Sequence, residues 1–348
     1  MGNSSTSKPS NSLFDLLAAA RPHQWAKGVF VLIGPAYGIA SRGLSTIPRE
    51  EAARIGTGAI AAFFAFGFAS SACYIVNDLL DRDQDRVHPR KKNRPIAAGR
   101  ISPGAAKVFA LILLALAAAC LFAVPLWQPM PGAPMPTGNN WLAELPSLGR
   151  WLLGACVGVY VANVLAYSVR IKHMTVADTI SLASGFVLRV LGGCAAAMVE
   201  PSSWLLNVTF FLSMFLALGK RLGERRTMGD DVASARGVQA KYTDDLLRMA
   251  VVVTGVATLL SYSDYVRGQG DKFTLGFNLL WLTMLPATYG LLRSILLVER
   301  GTYDDPTDLA LRDRPFQLAG FAFVAITVAV MMASSTGLIP NTAALARP

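Results

Sequence analysis

The chain has 348 residues, of which 53% are hydrophobic and only 16% charged, with a mean hydropathy of +0.42. A soluble domain would carry about a quarter charged residues, so composition excludes a soluble globular protein and indicates a membrane protein. The formal net charge of +10 does not argue for nucleic acid, because the Lys and Arg residues fall in short connections between apolar runs and form no soluble basic face.

In chain order, residues 1–20 read as a polar, disordered tail, residues 21–340 as a single transmembrane catalytic domain, and 341–348 as a short closing tail. No cleavable signal peptide is expected, since no apolar core follows the first ten residues directly. Met1-Gly2 with Thr6 is only a loose match to a myristoylation pattern. Gly28 to Ser41 is a short first span broken by Pro35. Clear spans follow at Ile55 to Asn77, Val108 to Trp127, Trp151 to Val169, Phe273 to Leu292 and Pro315 to Pro340. Shorter ones lie at Ser202 to Gly219 and Met249 to Ser263, and Thr179 to Val199 qualifies except for Arg189 near its middle. The fold class is therefore all-α, a polytopic bundle of about nine transmembrane helices. Cys73, Cys120, Cys156 and Cys194 each lie in an apolar run without a CxxC pair, which reads as small buried hydrophobes.

Lys and Arg set the orientation. The segment before the first span holds three, and the alternate connections hold eight, two, seven and four, which places 24 of the 32 on one side and seven on the other. The remaining one is Arg189. The positive-inside rule puts the N-terminus in the cytosol and the C-terminus outside, in the inner (plasma) membrane. The Pro- and Gly-rich linker from Pro125 to Pro146 falls on the outer side.

The second span ends in NDLLDRDQD. On a continuous helix, Asn77, Asp78, Asp81 and Asp85 fall within about one quadrant while Asp83 points elsewhere. Carboxylates at that spacing repel, and the arrangement makes sense if a hard divalent cation bridges them; Mg²⁺ takes one or two carboxylates together with substrate phosphate oxygens and water. The following basic run, Arg86, Arg90, Lys91, Lys92, Arg94 and Arg100, serves the topology and also offers Arg donors to phosphate. The bland reading of the acids is a solvated helix end with alternating charge.

NDxxDxxxD followed by HPxxxxRPIAAG resembles the UbiA-type intramembrane prenyltransferase superfamily, as does YSVRIKH from Tyr167 to His173 with Asp178 shortly after. The resemblance implies a bundle with a cytosolic active-site cap, a diphosphate pocket, Mg²⁺ and a lateral opening for a lipid chain. Aromatic prenyltransferases of that superfamily carry a second aspartate-rich motif after the sixth span. Here GKRLGERR, Gly219 to Arg226, stands in its place, and Asp230 and Asp231 come only later. With RPHQWAKG at Arg21 to Gly28, this pattern resembles the branch that transfers 5-phosphoribose from phosphoribosyl diphosphate (PRPP) to decaprenyl (polyprenyl) phosphate for cell-wall arabinan synthesis. Such an enzyme binds a diphosphate, a ribose phosphate and a lipid phosphate, so more Lys and Arg is what its ligands demand.

The resemblance gives roles as expectations. Asn77, Asp78, Asp81 and Asp85 hold the metal. Asp78, Asp81 and Asp85, with Lys220, Arg221 and Glu224, form the catalytic group, Glu224 holding metal or orienting Lys220. Lys27, Asn77, Arg94, Tyr167, Lys172, Arg189 and Arg225 bind substrate. A charge inside a span costs at least about 2.5 kcal/mol and marks a ligand or a partner, so Arg189 has a reason to be there; a structural ion pair is its other reading. The lipid phosphate is already ionised at pH 7, so His23, His88 and His173 are phosphate or hydrogen-bond contacts, not bases. The partners expected are PRPP, polyprenyl phosphate and the lipid bilayer, with no nucleic acid; the sequence leaves a homo-oligomer open. Two rivals stand beside this. One is a prenyltransferase of the same fold, moving a prenyl group from prenyl diphosphate to an aromatic or glycerol-phosphate acceptor. The other is a transporter, which would show paired broken helices at mid-membrane.

Overall fold

The computed structural model describes residues 11–42, 47–87, 91–126, 148–228, 242–269, 274–275, 277–302, 309 and 312–335. Residues 1–10 and 341–348, most of the Pro125 to Pro146 linker, His88, Arg90, Asp230 and Asp231 lie outside them. Eight helices among the described residues are long and apolar enough to cross a membrane. They are α3 (Arg49–Leu80), α5 (Pro103–Phe122), α6 (Leu148–Val169), α7 (Ala177–Ala197), α8 (Ser203–Met228), α9 (Asp244–Gly268), Leu279–Glu299, whose α-helical part is α10 (Met284–Glu299), and α11 (Arg314–Ser335).

The expected first span is shorter than these. Seven residues of 3-10 helix, Pro22–Gly28, run directly into the 14 of α2 (Val29–Arg42), which contains Pro35. Within the tail expected over 1–20, residues 11–20 are described and contain α1 (Leu13–Ala20). The Ser12 side chain caps its first turn, and Asp15 pairs with Arg100, 85 residues later, at 2.8 Å. The span expected from Phe273 starts later, at Leu279. Ahead of it lies a short antiparallel pair, Thr274–Leu275 with Phe277–Asn278, a small exception to the all-α expectation. There the Asn278 side chain accepts from Leu280 N–H and donates to the Val266 carbonyl, so it starts the helix after itself.

The chain divides into two compact units, residues 1–171 with 188–201, and residues 172–187 with 202–348. In the first, α3 packs against α2, α5 and α6, and it presents small residues to its neighbours. Ala62, Ala65, Ala69 and Ala72 are at most 1% exposed, which lets backbones approach closely in the absence of a hydrophobic drive between helices. A methyl group at Gly58 would collide with the Ala196 carbonyl, and one at Gly193 with that of Val31. Helix α3 has 32 residues, roughly 48 Å at 1.5 Å per residue, against a hydrocarbon core of about 30 Å. Its polar end therefore projects toward the headgroups. In the second unit, α8 and α9 pack on Phe215, Leu218, Leu222, Leu247 and Val251, and Thr243 caps α9 by accepting from Leu246 N–H.

Candidate active site

The helix expected to carry all four acidic-motif residues is interrupted. Helix α3 ends at Leu80, Asp81 is its C-cap with φ −91°, and a short helix, α4 (Arg82–Val87), restarts the chain. Asp78 and Asp85 still meet, through a cation. Arg94 Nη1 lies 3.1 Å from Asp78 Oδ1 and 2.7 Å from Asp85 Oδ2. Arg21 Nη2 donates to both Asp78 oxygens at 2.7 and 2.8 Å, and Lys91 Nζ stands 3.7 Å from Asp85. Both carboxylates are 2% exposed, whereas the side chains of Arg21, Arg94 and Lys91 are 22%, 26% and 31% exposed. Burial of two acids is sustained by charge-assisted hydrogen bonds from chain segments before and after them. Asp81 is half-buried and accepts from the Asn77 side chain at 3.2 Å. Asp83 is exposed, with Arg86 at 3.5 Å.

Arg21 is the residue that sequence reasoning quoted but did not assign. It sits between α1 and the 3-10 helix at φ +52°, a left-handed backbone uncommon for a residue with a Cβ. The break lets its side chain turn onto Asp78.

The second unit has a cluster of different character. Asp178, at the start of α7, is fully buried and lies 2.6 Å from Arg221 Nη2. The Tyr242 hydroxyl donates to Asp178 Oδ1 at 2.9 Å and accepts from Val176 N–H at 2.7 Å, while Thr179 N–H donates to the same oxygen at 2.7 Å. The Tyr242 ring lies 5.4 Å from the Arg221 guanidinium carbon. Burial, followed by the hydrogen bond it gives Asp178, raises the Tyr242 phenol above its ordinary pKa. Arg221 Nε is buried and has no hydrogen-bond partner among the described residues. Tyr242 escaped sequence reasoning, its only signal being an aromatic residue just ahead of a Thr-Asp-Asp helix start.

Arg221, expected in the catalytic group, and Arg225, expected to bind substrate, each face a carboxylate: Arg225 Nε lies 2.7 Å from Asp244. Lys220, Glu224, Lys172 and Tyr167 are half-buried, and Lys27 is exposed, as are His23 and His173. Arg189 is 6% exposed. It donates to Tyr160 Oη at 2.7 Å and Ser70 Oγ at 3.2 Å, with the Tyr160 ring centre 4.5 Å away. The four cysteines are free thiols.

A family model described as the UbiA prenyltransferase family matches residues 29–133. The chain is similar to the decaprenyl-phosphate phosphoribosyltransferase of Mycolicibacterium smegmatis, at 31% identity over 91% of this chain and 92% of that protein. It is similar also to the enzyme of that name from Corynebacterium glutamicum, at 32% identity over 92% of this chain and 88% of that one. Among solved structures, a UbiA homologue from Archaeoglobus fulgidus bound to GPP and Mg²⁺ superposes with a TM-score of 0.62 at 17% identity, covering 91% of this chain and 99% of that chain. That likeness concerns the fold.

Proposed function

The chain belongs to the UbiA prenyltransferase family, and we propose that it transfers 5-phosphoribose from PRPP to decaprenyl phosphate. The observation that carries this reading is the 31–32% identity to decaprenyl-phosphate phosphoribosyltransferases over nine-tenths of the chain. The basic end of α8, Lys220 to Arg226, supports it, because three anionic groups must be held and no second acidic motif stands there.

The donor set at the end of α3 fits Mg²⁺. Its ligand atoms are all hard oxygens, and among the described residues no three Asp, Glu, His or Cys side chains converge on one point. That suits an ion held by one or two carboxylates and completed by substrate phosphate and water, not a ready-made cage. One or two of Asp78, Asp81 and Asp85, with Asn77 beside them, would hold it. When bound, Mg²⁺ supplies charge neutralisation for the diphosphate leaving group.

The protein's own groups do the rest. Arg21, Arg94 and Lys91, partly exposed beside the acids, take diphosphate oxygens. Lys220 and Lys172 are assigned to phosphate on the resemblance of GKRLGERR and YSVRIKH. The bond from ribose C1 to the diphosphate oxygen breaks with its electron pair leaving on diphosphate. A lipid phosphate oxygen, already ionised, forms the new bond from the opposite face, which inverts C1 and requires no general base. The surplus of Lys and Arg on alternate connections supports a reading in which this chemistry occurs at the cytosolic face of the plasma membrane, with the N-terminus inside and the C-terminus outside.

The test is incubation of purified protein in detergent with Mg²⁺, labelled PRPP and decaprenyl phosphate. Label in the lipid phase that disappears without Mg²⁺ is the expected result. No label, but turnover of a prenyl diphosphate with an aromatic acceptor, would overturn the substrate assignment and leave the family intact.

A further inference from the structure

Val176 stands out in the backbone. It is β-branched, 46% exposed, and has φ +69°, a left-handed conformation rarely adopted by such a side chain. With nearly half its surface in the open, packing of its own side chain is a weak reason for the strain. The neighbourhood supplies a stronger one. Its N–H is bonded to Tyr242 Oη at 2.7 Å, and its carbonyl accepts from Thr179 Oγ1 at 2.8 Å and from Ile180 N–H at 3.0 Å. Strained backbone of this kind persists where the surroundings over-determine it, and it gathers at functional sites.

We propose that Tyr242 is a positioning residue for the transfer reaction, whose hydroxyl clasps the strained Val176 and so aims Lys172, four residues earlier, at a substrate phosphate. The role of Lys172 rests on the function proposed above; the clasp does not. Tyr242 is suited to it because it is 2% exposed and its hydroxyl is used twice, once toward Val176 N–H and once toward Asp178 Oδ1. Asp178 is held in turn by Arg221 and by Thr179 N–H. The phenol thus joins three stretches of the second unit, namely the lead into α7, the cytosolic end of α8 and the lead into α9. Removing the hydroxyl would leave the ring over Arg221 while the clasp opens.

Tyr242→Phe, assayed as the full-length protein in detergent, should raise KM for PRPP about tenfold, the loss of about 1.4 kcal/mol of binding, with kcat within about twofold. Amide exchange over residues 172–176 should rise in the same variant. Adding Val176→Asn, a residue that tolerates left-handed backbone, should return KM to within about threefold of the unmodified enzyme. Val176→Asn alone should raise the thermal midpoint and leave KM unchanged. A Tyr242→Phe protein with unaltered KM and unaltered exchange would overturn the proposal, and so would failure of Val176→Asn to restore KM. Should Tyr242→Phe not fold, a lowered midpoint in Val176→Asn alone would overturn it, since a relieved turn must stabilise. If the unmodified protein transfers no phosphoribose, the substrate reading fails, and the exchange measurement judges the clasp by itself.

Discussion

The two clusters of buried acid differ in what surrounds the carboxylates. At the end of α3 the acids are buried, but their cations, Arg21, Arg94 and Lys91, keep about a quarter of their side-chain surface in the open. At the start of α7 both partners are buried, Asp178 at 1% and Arg221 at 9% side-chain exposure. A cation at the protein's edge can turn to a ligand when one arrives, whereas a cation sealed against its carboxylate cannot leave without stranding a buried charge. The first cluster is built for exchange and the second for holding. Substrate contact for Arg21 and Arg94, and a holding role for Arg221, are proposed on that contrast, although the sequence marks all of them alike as basic residues near a membrane face.

The largest effect should come from Asp81→Ala. Asp81 is half-buried and accepts from the Asn77 side chain at 3.2 Å, and the change in thermal midpoint on its loss is expected to be small beside the loss of transfer. Transfer should fall at least about 10³-fold, roughly 4 kcal/mol of barrier. Retained activity would break the contrast at its first term, since the acids of α3 would then not be serving a ligand. Next comes Arg221→Met, which strands Asp178 in the interior of the second unit. A cost of about 3–5 kcal/mol is expected, read by denaturant or thermal unfolding in detergent. A stable Arg221→Met protein with a raised KM would instead make Arg221 a substrate contact.

Arg94→Gln addresses exchange directly. It removes the bridge between Asp78 and Asp85 and leaves them with Arg21 and Lys91. The expected loss is about 1–3 kcal/mol, the cost of an unmet buried acceptor. Because an ion bound only by the folded protein stabilises it, added Mg²⁺ should raise the midpoint of Arg94→Gln more than that of the unmodified protein. Equal increments would mean that Arg94 and the ion do not share these carboxylates.

The membrane class and most of the spans were legible in the sequence because charge-free runs of about twenty residues have few alternatives in a chain this apolar. What escaped was local. Helix α3 breaks at Asp81, so the 100° wheel that grouped four residues on one face described a helix that does not continue. Asp78 meets Asp85 through Arg94, in the chain segment after them, and Asp78 is held also by Arg21, 57 residues before it. Ion pairs across that separation have no periodic signature. Tyr242 was invisible for the same reason: its hydroxyl reaches Val176, 66 residues earlier, and nothing in the intervening spacing announces it. Conversely, Lys220, Arg221 and Arg225 looked equivalent because composition counts charge and not partner.

The smallest expected effect tests that last point. Arg225 pairs with Asp244 at 2.7 Å, and Arg226 reaches the same carboxylate at 3.4 Å. Their side chains are partly open to solvent, with Asp244 at 36% exposure. An ion pair so exposed contributes about 0.2–1 kcal/mol, and here a second arginine remains to take its place. Arg225→Ala should therefore cost less than about 1 kcal/mol and leave KM for PRPP within about threefold, a change of about 0.7 kcal/mol. Lys220→Ala, five residues earlier on the same helix, should raise KM about tenfold or more. The two variants differ by one cation each, so net charge cannot account for a difference between them. If Arg225→Ala raised KM as far as Lys220→Ala while its midpoint stayed fixed, Asp244 would be a parking place that Arg225 leaves for phosphate. The end of α8 would then belong with the exchanging cluster, and only Asp178, Arg221 and Tyr242 would remain on the holding side.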